Sequence, residues 1–220
     1  MTLDELRLAF RREADDIAAP YLWSNDDVDF WVNEAEVEAC RRARLIVDSR
    51  TPDLCEISLL AGDEWIDIDA RIISVRRVRL SGFAYPLVKK TRAEMDMALP
   101  GWEDHTGDPQ AFVSDMDVTA LRMYPTPTTA GTALLTVIRE PKDPMVDDDD
   151  TPEIAPRYHA KLVHWAVHRA FAKKDTETLD ENASLKALAL FEQEFGPRRS
   201  AQSERFEFEQ YDQDRLDGSY

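Results

Sequence analysis

The sequence holds 220 residues and carries a formal net charge of −17, from 27 basic against 44 acidic side chains. Apolar residues make up 43% of it, a globular proportion, so the chain can bury a core without metal or disulfide staples and wholesale disorder is excluded. A chain this acidic repels phosphate backbones, which disfavours general nucleic-acid binding. No apolar run approaches eighteen residues, and Met1-Thr-Leu-Asp-Glu-Leu6 lacks the form of a signal peptide; a soluble intracellular protein with no membrane partner is expected.

The opening residues read as a short helix through Leu3, Leu6, Leu8, Phe10 and Ile17, ended near Pro20. A second helix begins at Ser24, which stands three residues before Asp27 in a capping arrangement. Val28, Trp31, Val32, Ala35, Ala39, Ala43 and Ile46 recur at steps of three and four, a single buried stripe. Glu38 precedes Arg42 by four residues, a favourable pair placed on the wet side. Thr51-Pro52 closes this helix, because the residue before proline avoids helical geometry.

From Asp53 to Arg139 the period changes to two. Strands are predicted at Cys55–Leu59, Ile66–Ile68, Ile73–Leu80, Phe83–Val88, Ala111–Ser114, Leu121–Tyr124 and Thr132–Arg139. The parity of Ile73–Leu80 slips at Arg76-Arg77, which predicts a bulge or an edge. Thr91-x-x-Glu94 predicts one capped short helix before Pro100. Such spacing suggests a small sandwich or barrel-like insert.

Asp147–Asp150 is an acidic run that reads as a linker, after which helices return. Pro156 suits a first turn, and Tyr158, Leu162, Trp165, Ala166 and Ala170 form the next stripe. Thr178-x-x-Glu181 predicts the cap of a last helix, with Ala187, Leu188, Phe191 and Phe195 inward and Gly196-Pro197 as the stop. The expectation is therefore an α+β fold. Residues 1–50 with 151–197 would form a discontinuous helical bundle, residues 51–150 an inserted small antiparallel β domain with its acidic linker, and residues 198–220 an extended C-terminal arm.

Few signatures of catalysis are present. The seven glycines include no G-x-G-x-x-G, no phosphate-binding loop and no G-x-S-x-G. Cys40 and Cys55 supply neither a metal quartet nor a disulfide framework and read as small buried residues. His164 and His168 share a helix face near His159, but the glutamate of H-E-x-x-H is missing. No cofactor and no metal is expected. A hydrolase using these histidines with carboxylates stays as an alternative, as does a transient assembly factor.

Charge distribution says more. Between Arg71 and Arg92 lie seven basic residues and no acid: Arg71, Arg76, Arg77, Arg79, Lys89, Lys90 and Arg92. Such segregation points to a surface that meets an acidic partner or a neighbouring copy, against solvated strand faces and protective edge lysines. Near the end, Phe206-Glu207-Phe208-Glu209 alternates apolar and acidic residues, with Tyr211 just beyond. An extended arm of this pattern suits a partner groove; a disordered end is the plainer alternative.

The two helical ends carry a resemblance. Pro20-Tyr-Leu-Trp-Ser24, Asn33-Glu-Ala35 and Glu38-Ala-Cys-Arg-Arg-Ala43 resemble the opening helices of head–tail connector proteins of tailed bacteriophages. Arg157-Tyr-His159, Trp165-Ala-Val-His-Arg-Ala-Phe171 and Lys174-Asp175 resemble their closing helices. The resemblance implies a structural protein of the virion neck, assembled in the host cytoplasm. It implies a ring of about twelve copies beneath the portal protein that extends the DNA channel and docks tail or nozzle proteins. DNA would pass an acidic ring without specific binding. On this reading the portal or subunit interface comprises Arg76, Arg77, Arg79, Lys89, Lys90, Phe206, Phe208 and Tyr211, and nothing in the resemblance carries a catalytic residue over. The β insert is longer than minimal helical connectors need.

Overall fold

A computed structural model describes residues 1–173, 179–198 and 200. In chain order the helices and strands are α1 (Leu3–Glu13), α2 (Asn25–Ala43), β1 (Ile46–Asp48), α3 (Pro52–Cys55), β2 (Glu56–Leu59), β3 (Trp65–Asp67), β4 (Ile72–Leu80) and β5 (Val88–Lys90). There follow α4 (Arg92–Ala98), β6 (Thr106–Gly107), β7 (Ala111–Val113), β8 (Ala120–Tyr124), β9 (Thr126–Pro127), β10 (Gly131–Arg139), α5 (His159–Ala172) and α6 (Glu181–Phe195). The fold is α+β. It divides into a helical unit, Met1–Ile46 with Glu140–Arg198, and a β-rich unit, Val47–Arg139.

In the helical unit, Thr2 and Glu5 form a reciprocal capping box that starts α1. Leu3, Leu6 and Phe10 are fully buried and pack with Trp23, Val28, Val32, Val163 and Ala166. A second cluster joins Ala35, Ala39 and Cys40 of α2 to Leu162, Trp165, Phe191 and Phe195. Phe191 and Phe195, one turn apart on α6, hold their rings 4.7 Å apart between centroids. Asp180 caps α6, accepting from the N–H groups of Asn182 and Ala183; Thr178 lies outside the described residues. Gly196 ends α6 at φ +88, a conformation that a side chain disfavours.

Three sequence expectations are corrected here. Helix α1 stops at Glu13, so Ile17 is exposed rather than part of a stripe. Helix α2 stops at Ala43, where Arg44 turns left-handed at φ 54, and Ile46 belongs to β1 instead. The physical reason is pairing: β1 lies beside β10, and that gain outweighs eight more residues of helix. The acidic run is not a free linker either. The backbone oxygens of Asp150 and Asp148 accept from Leu3 N–H (2.8 Å) and Asp4 N–H (3.2 Å), satisfying donors that the first turn of α1 leaves open.

The β-rich unit contains two four-stranded sheets. In one, β10 pairs with β1, β2 and β4; the other has the order β3-β8-β7-β5. Along β10, Ala133, Leu135 and Val137 are buried while Thr132, Leu134 and Thr136 are half-buried, the alternation of a strand with one covered face. These inward residues share a core with Val75, Val78, Leu80, Phe112, Leu121 and Met123. The pairing is not wholly antiparallel, since β5 runs parallel to β7. Phe83–Val88, expected as a strand, is bend and irregular backbone up to Leu87; strand pairing begins only at Val88, because β7 is its partner.

Candidate assembly interfaces

The expected bulge falls where the parity slips. Along β10, Thr136 faces Arg77 but Val137 faces Val75, so Arg76 is an extra residue in β4. Val75 and Val78 stay buried, and the extra residue leaves Arg76 and Arg77 together in solvent. Arg77 lies on the outer sheet face beside Thr136, and Arg79 lies on the same face beside Leu134.

Among the seven basic residues between Arg71 and Arg92, Arg71, Lys90 and Arg92 each face an acid of the same unit. Arg71 holds Asp69 at 2.8 Å, Lys90 reaches Glu94 at 3.8 Å, and Arg92 reaches Asp96 at 3.5 Å. Arg79 donates to the Phe83 carbonyl at 3.4 Å. Arg76 and Arg77 have no hydrogen bond or ion pair among the described residues. A backbone bond from Leu87 N–H to Val78 O (2.8 Å) brings the turn after β4 alongside that strand. This turn carries exposed Phe83 and Tyr85, the latter 82% exposed, and Val88 beyond it is exposed too. The basic patch thus narrows to Arg76, Arg77 and Arg79 beside aromatic surface, with Lys89 and Lys90 on β5. Phe206, Phe208 and Tyr211 lie outside the described residues.

A second candidate surface was not read from the sequence. Residues Ile17-Ala-Ala-Pro-Tyr-Leu22, between α1 and α2, are all exposed, Ile17 by 64% and Leu22 by 59%. The loop is tightly held from beneath. Buried Arg11 pairs with buried Asp16, donates to the Asn25 side chain at 2.9 Å and sits 4.1 Å from the centre of the Tyr21 ring. Asp16 in turn accepts from Leu22 N–H at 2.9 Å. The available signal was six consecutive uncharged residues holding a proline, which fit neither a helix stripe nor a polar loop.

The histidines do not converge. His159 is buried, with Nε2 at 2.9 Å from the Ile154 carbonyl and Nδ1 at 2.8 Å from the Met1 nitrogen. His164 contacts Glu13 at 2.8 Å. His168 lies 2.9 Å from the Ser184 hydroxyl, which itself donates to the His168 carbonyl, so the imidazole donates to Ser184 instead of activating it. Burial lowers the His168 pKa. Among the described residues no three His, Cys, Asp or Glu side chains are grouped to hold a metal ion.

Other charges serve the architecture. Arg42 is buried, not on the wet side: it pairs with Glu38 at 2.8 Å, donates to Gly196 O at 3.2 Å, and lies 5.3 Å from the ring centres of Trp165 and Phe191. Arg139 and Asp48, at the points where the chain leaves and joins the β-rich unit, pair at 2.7 Å. Burial alone would raise the Asp48 carboxyl. Hydrogen bonds from the Thr51 hydroxyl, the Arg50 N–H and Arg139 prevail and hold it below the usual carboxylate range. Glu36, on α2, accepts from Glu153 N–H at 2.6 Å and Ile154 N–H at 3.2 Å. Its burial outweighs those bonds and pushes its pKa up to about 7.

Among the described residues no helix is long and apolar enough to cross a membrane. Comparison with curated proteins gives no match. Comparison with protein families matches residues 1–215 to the one described as SU10 adaptor protein, in agreement with the resemblance carried by the helical ends. The chain therefore belongs to the SU10 adaptor protein family, a family of phage head–tail adaptors.

Proposed function

We propose that about twelve copies of this chain form a ring beneath the portal of a phage head that extends the DNA channel and docks the tail or nozzle proteins. It is a structural part of the virion neck, assembled in the host cytoplasm, and it carries no reaction of its own. Its net charge of −17 suits a conduit, because an acidic wall does not grip passing DNA.

The observation that carries this reading is the loop Ile17–Leu22. Contiguous exposed apolar surface is a mark of docking, and this one rests on a buried ion pair that fixes its shape before any partner arrives. The loop is assigned to the portal. Arg76, Arg77, Arg79, Lys89 and Lys90, with Phe206, Phe208 and Tyr211, are assigned to contacts with the portal or between subunits.

The test is a loop variant, Ile17→Asp with Leu22→Asp. Both side chains are more than half exposed, so unfolding is expected to stay within about 0.5 kcal/mol of the parent. Far fewer copies of this variant are expected on purified portal than of the parent. Equal loading of the two proteins would overturn the assignment.

A further inference from the structure

Copies of a chain at −17 repel one another, so their association needs a local contact of opposite sign. The chain holds both halves of such a contact. The outer face of the sheet built on β10 carries Arg77 beside Thr136 and Arg79 beside Leu134, with Arg76 exposed in the bulge. Arg76 and Arg77 have no acidic partner among the described residues and half-buried Arg79 has only the Phe83 carbonyl, whereas Arg139, Arg122 and Arg71 of the same unit pair with Asp48, Glu64 and Asp69. The turn after β4 carries exposed Phe83 and Tyr85 beside this face. The basic face thus runs into apolar surface.

The complementary half lies outside the described residues, in Glu204 to Asp217. That segment has six acids against two arginines, and its acids alternate with Phe206 and Phe208. We infer that the acidic-aromatic segment around Phe206–Tyr211 of one copy docks on the Arg76, Arg77 and Arg79 face of the next copy, so that this pairing joins neighbouring subunits of the ring. The inference rests on the ring reading above and names the contact within it.

Spacing supports the match. Arg77 and Arg79 are two residues apart on an extended strand, and Glu207 and Glu209 are two residues apart in a segment of period two. The two acids therefore match the two arginines in number and in sequence interval. The phenyl rings then have exposed Phe83 and Tyr85 within the same patch. Side-chain pairing carries the contact, not strand addition at this point, because Val78 O on β4 already accepts from Leu87 N–H.

A partner of another copy follows from symmetry. Two different surfaces of one chain that fit each other give a head-to-tail contact, the kind that builds a ring when the rotation between copies closes, as on a portal of fixed symmetry. Docking within one copy would use up both halves and leave the repulsion between copies unopposed.

The experiment uses full-length chains mixed on purified portal. One chain carries Arg77→Cys, the other Glu207→Cys, and the native Cys40 and Cys55 are buried and contribute little background. A short bismaleimide cross-linker, which bridges the gap that an Arg–Glu ion pair leaves and a disulfide cannot, is expected to give a linked dimer of the two different chains. Adding Arg76→Glu and Arg79→Glu to the first chain should cut its yield by about tenfold, and adding Glu209→Arg to the second should restore part of it. A ring that assembles without the mixed dimer overturns the inference and leaves the adaptor reading standing. In a parallel sample of one chain carrying both cysteines, a cross-link formed only within the chain also overturns it, in favour of docking within one copy. Parent protein that fails to assemble on portal removes the adaptor reading, and the inference with it.

Discussion

The two units differ in where a cluster of arginines meets solvent. In the helical unit Arg7, Arg11 and Arg42 are each tied to acids of the same unit: Arg7 with Asp29 and Asp148, Arg11 with Asp16, Arg42 with Glu38 and Glu192. They fix a helix start, a loop and a helix end. In the β-rich unit Arg122 and Arg139 are used likewise, but the bulge of β4 sends Arg76 and Arg77 into solvent without a partner there. An acid-rich chain has no shortage of carboxylates to offer them. Cations left unpaired in such a chain are therefore informative about what lies outside it.

The sharpest break of this comparison sets two arginines of one unit against each other. Arg139→Met leaves the buried Asp48 carboxylate without its guanidinium, and a cost of about 3–5 kcal/mol is expected in denaturant unfolding. Arg76→Met should change stability by no more than about 0.5 kcal/mol. Similar costs for the two would erase the distinction between architectural and outward-facing arginines.

A carboxylate of the helical unit gives the next effect. Folding raises the Glu36 pKa from 4.5 to about 7, so between those values the folded chain holds a proton that the unfolded chain has released. Stability from this group is greatest below pH 4.5 and falls as pH rises through 7. Glu36→Gln keeps an oxygen for the Glu153 and Ile154 N–H groups and is expected to remove that fall, about 3 kcal/mol between pH 4.5 and 8. Parallel pH profiles for parent and variant would contradict it.

The smallest effect on stability belongs to the double reversal Arg76→Glu with Arg77→Glu. Unfolding is expected to move by about 0.5 kcal/mol or less, while assembly with other copies weakens and loses part of its salt dependence. Assembly that proceeds unchanged would return the patch to simple edge protection.

Much of this was legible because it depends on local rules. The Ser24 cap, the Thr91–Glu94 capping box and the Arg76-Arg77 parity slip all appear where spacing puts them. What escaped depends on distant partners. Ile46 looks helical by period, yet it becomes strand because β10, about ninety residues away, offers an edge. Arg42 looks like half of a surface pair until Trp165, Phe191 and the end of α6 close over it. The apolar loop was hidden for a related reason: Ile17 continues the pattern of α1, and only the Arg11–Asp16 pair shows that the chain leaves the helix at that point. The histidine spacing was visible but empty of chemistry, since α1 and α6 each take one side chain for packing.

The measurement closest to the central claim is the native mass of the full-length protein, alone and mixed with purified portal. The account predicts a stable complex in which many copies of this chain sit on one portal, in a number set by the portal's symmetry. A chain that stays monomeric in the presence of portal, with no complex at any ratio, would contradict it.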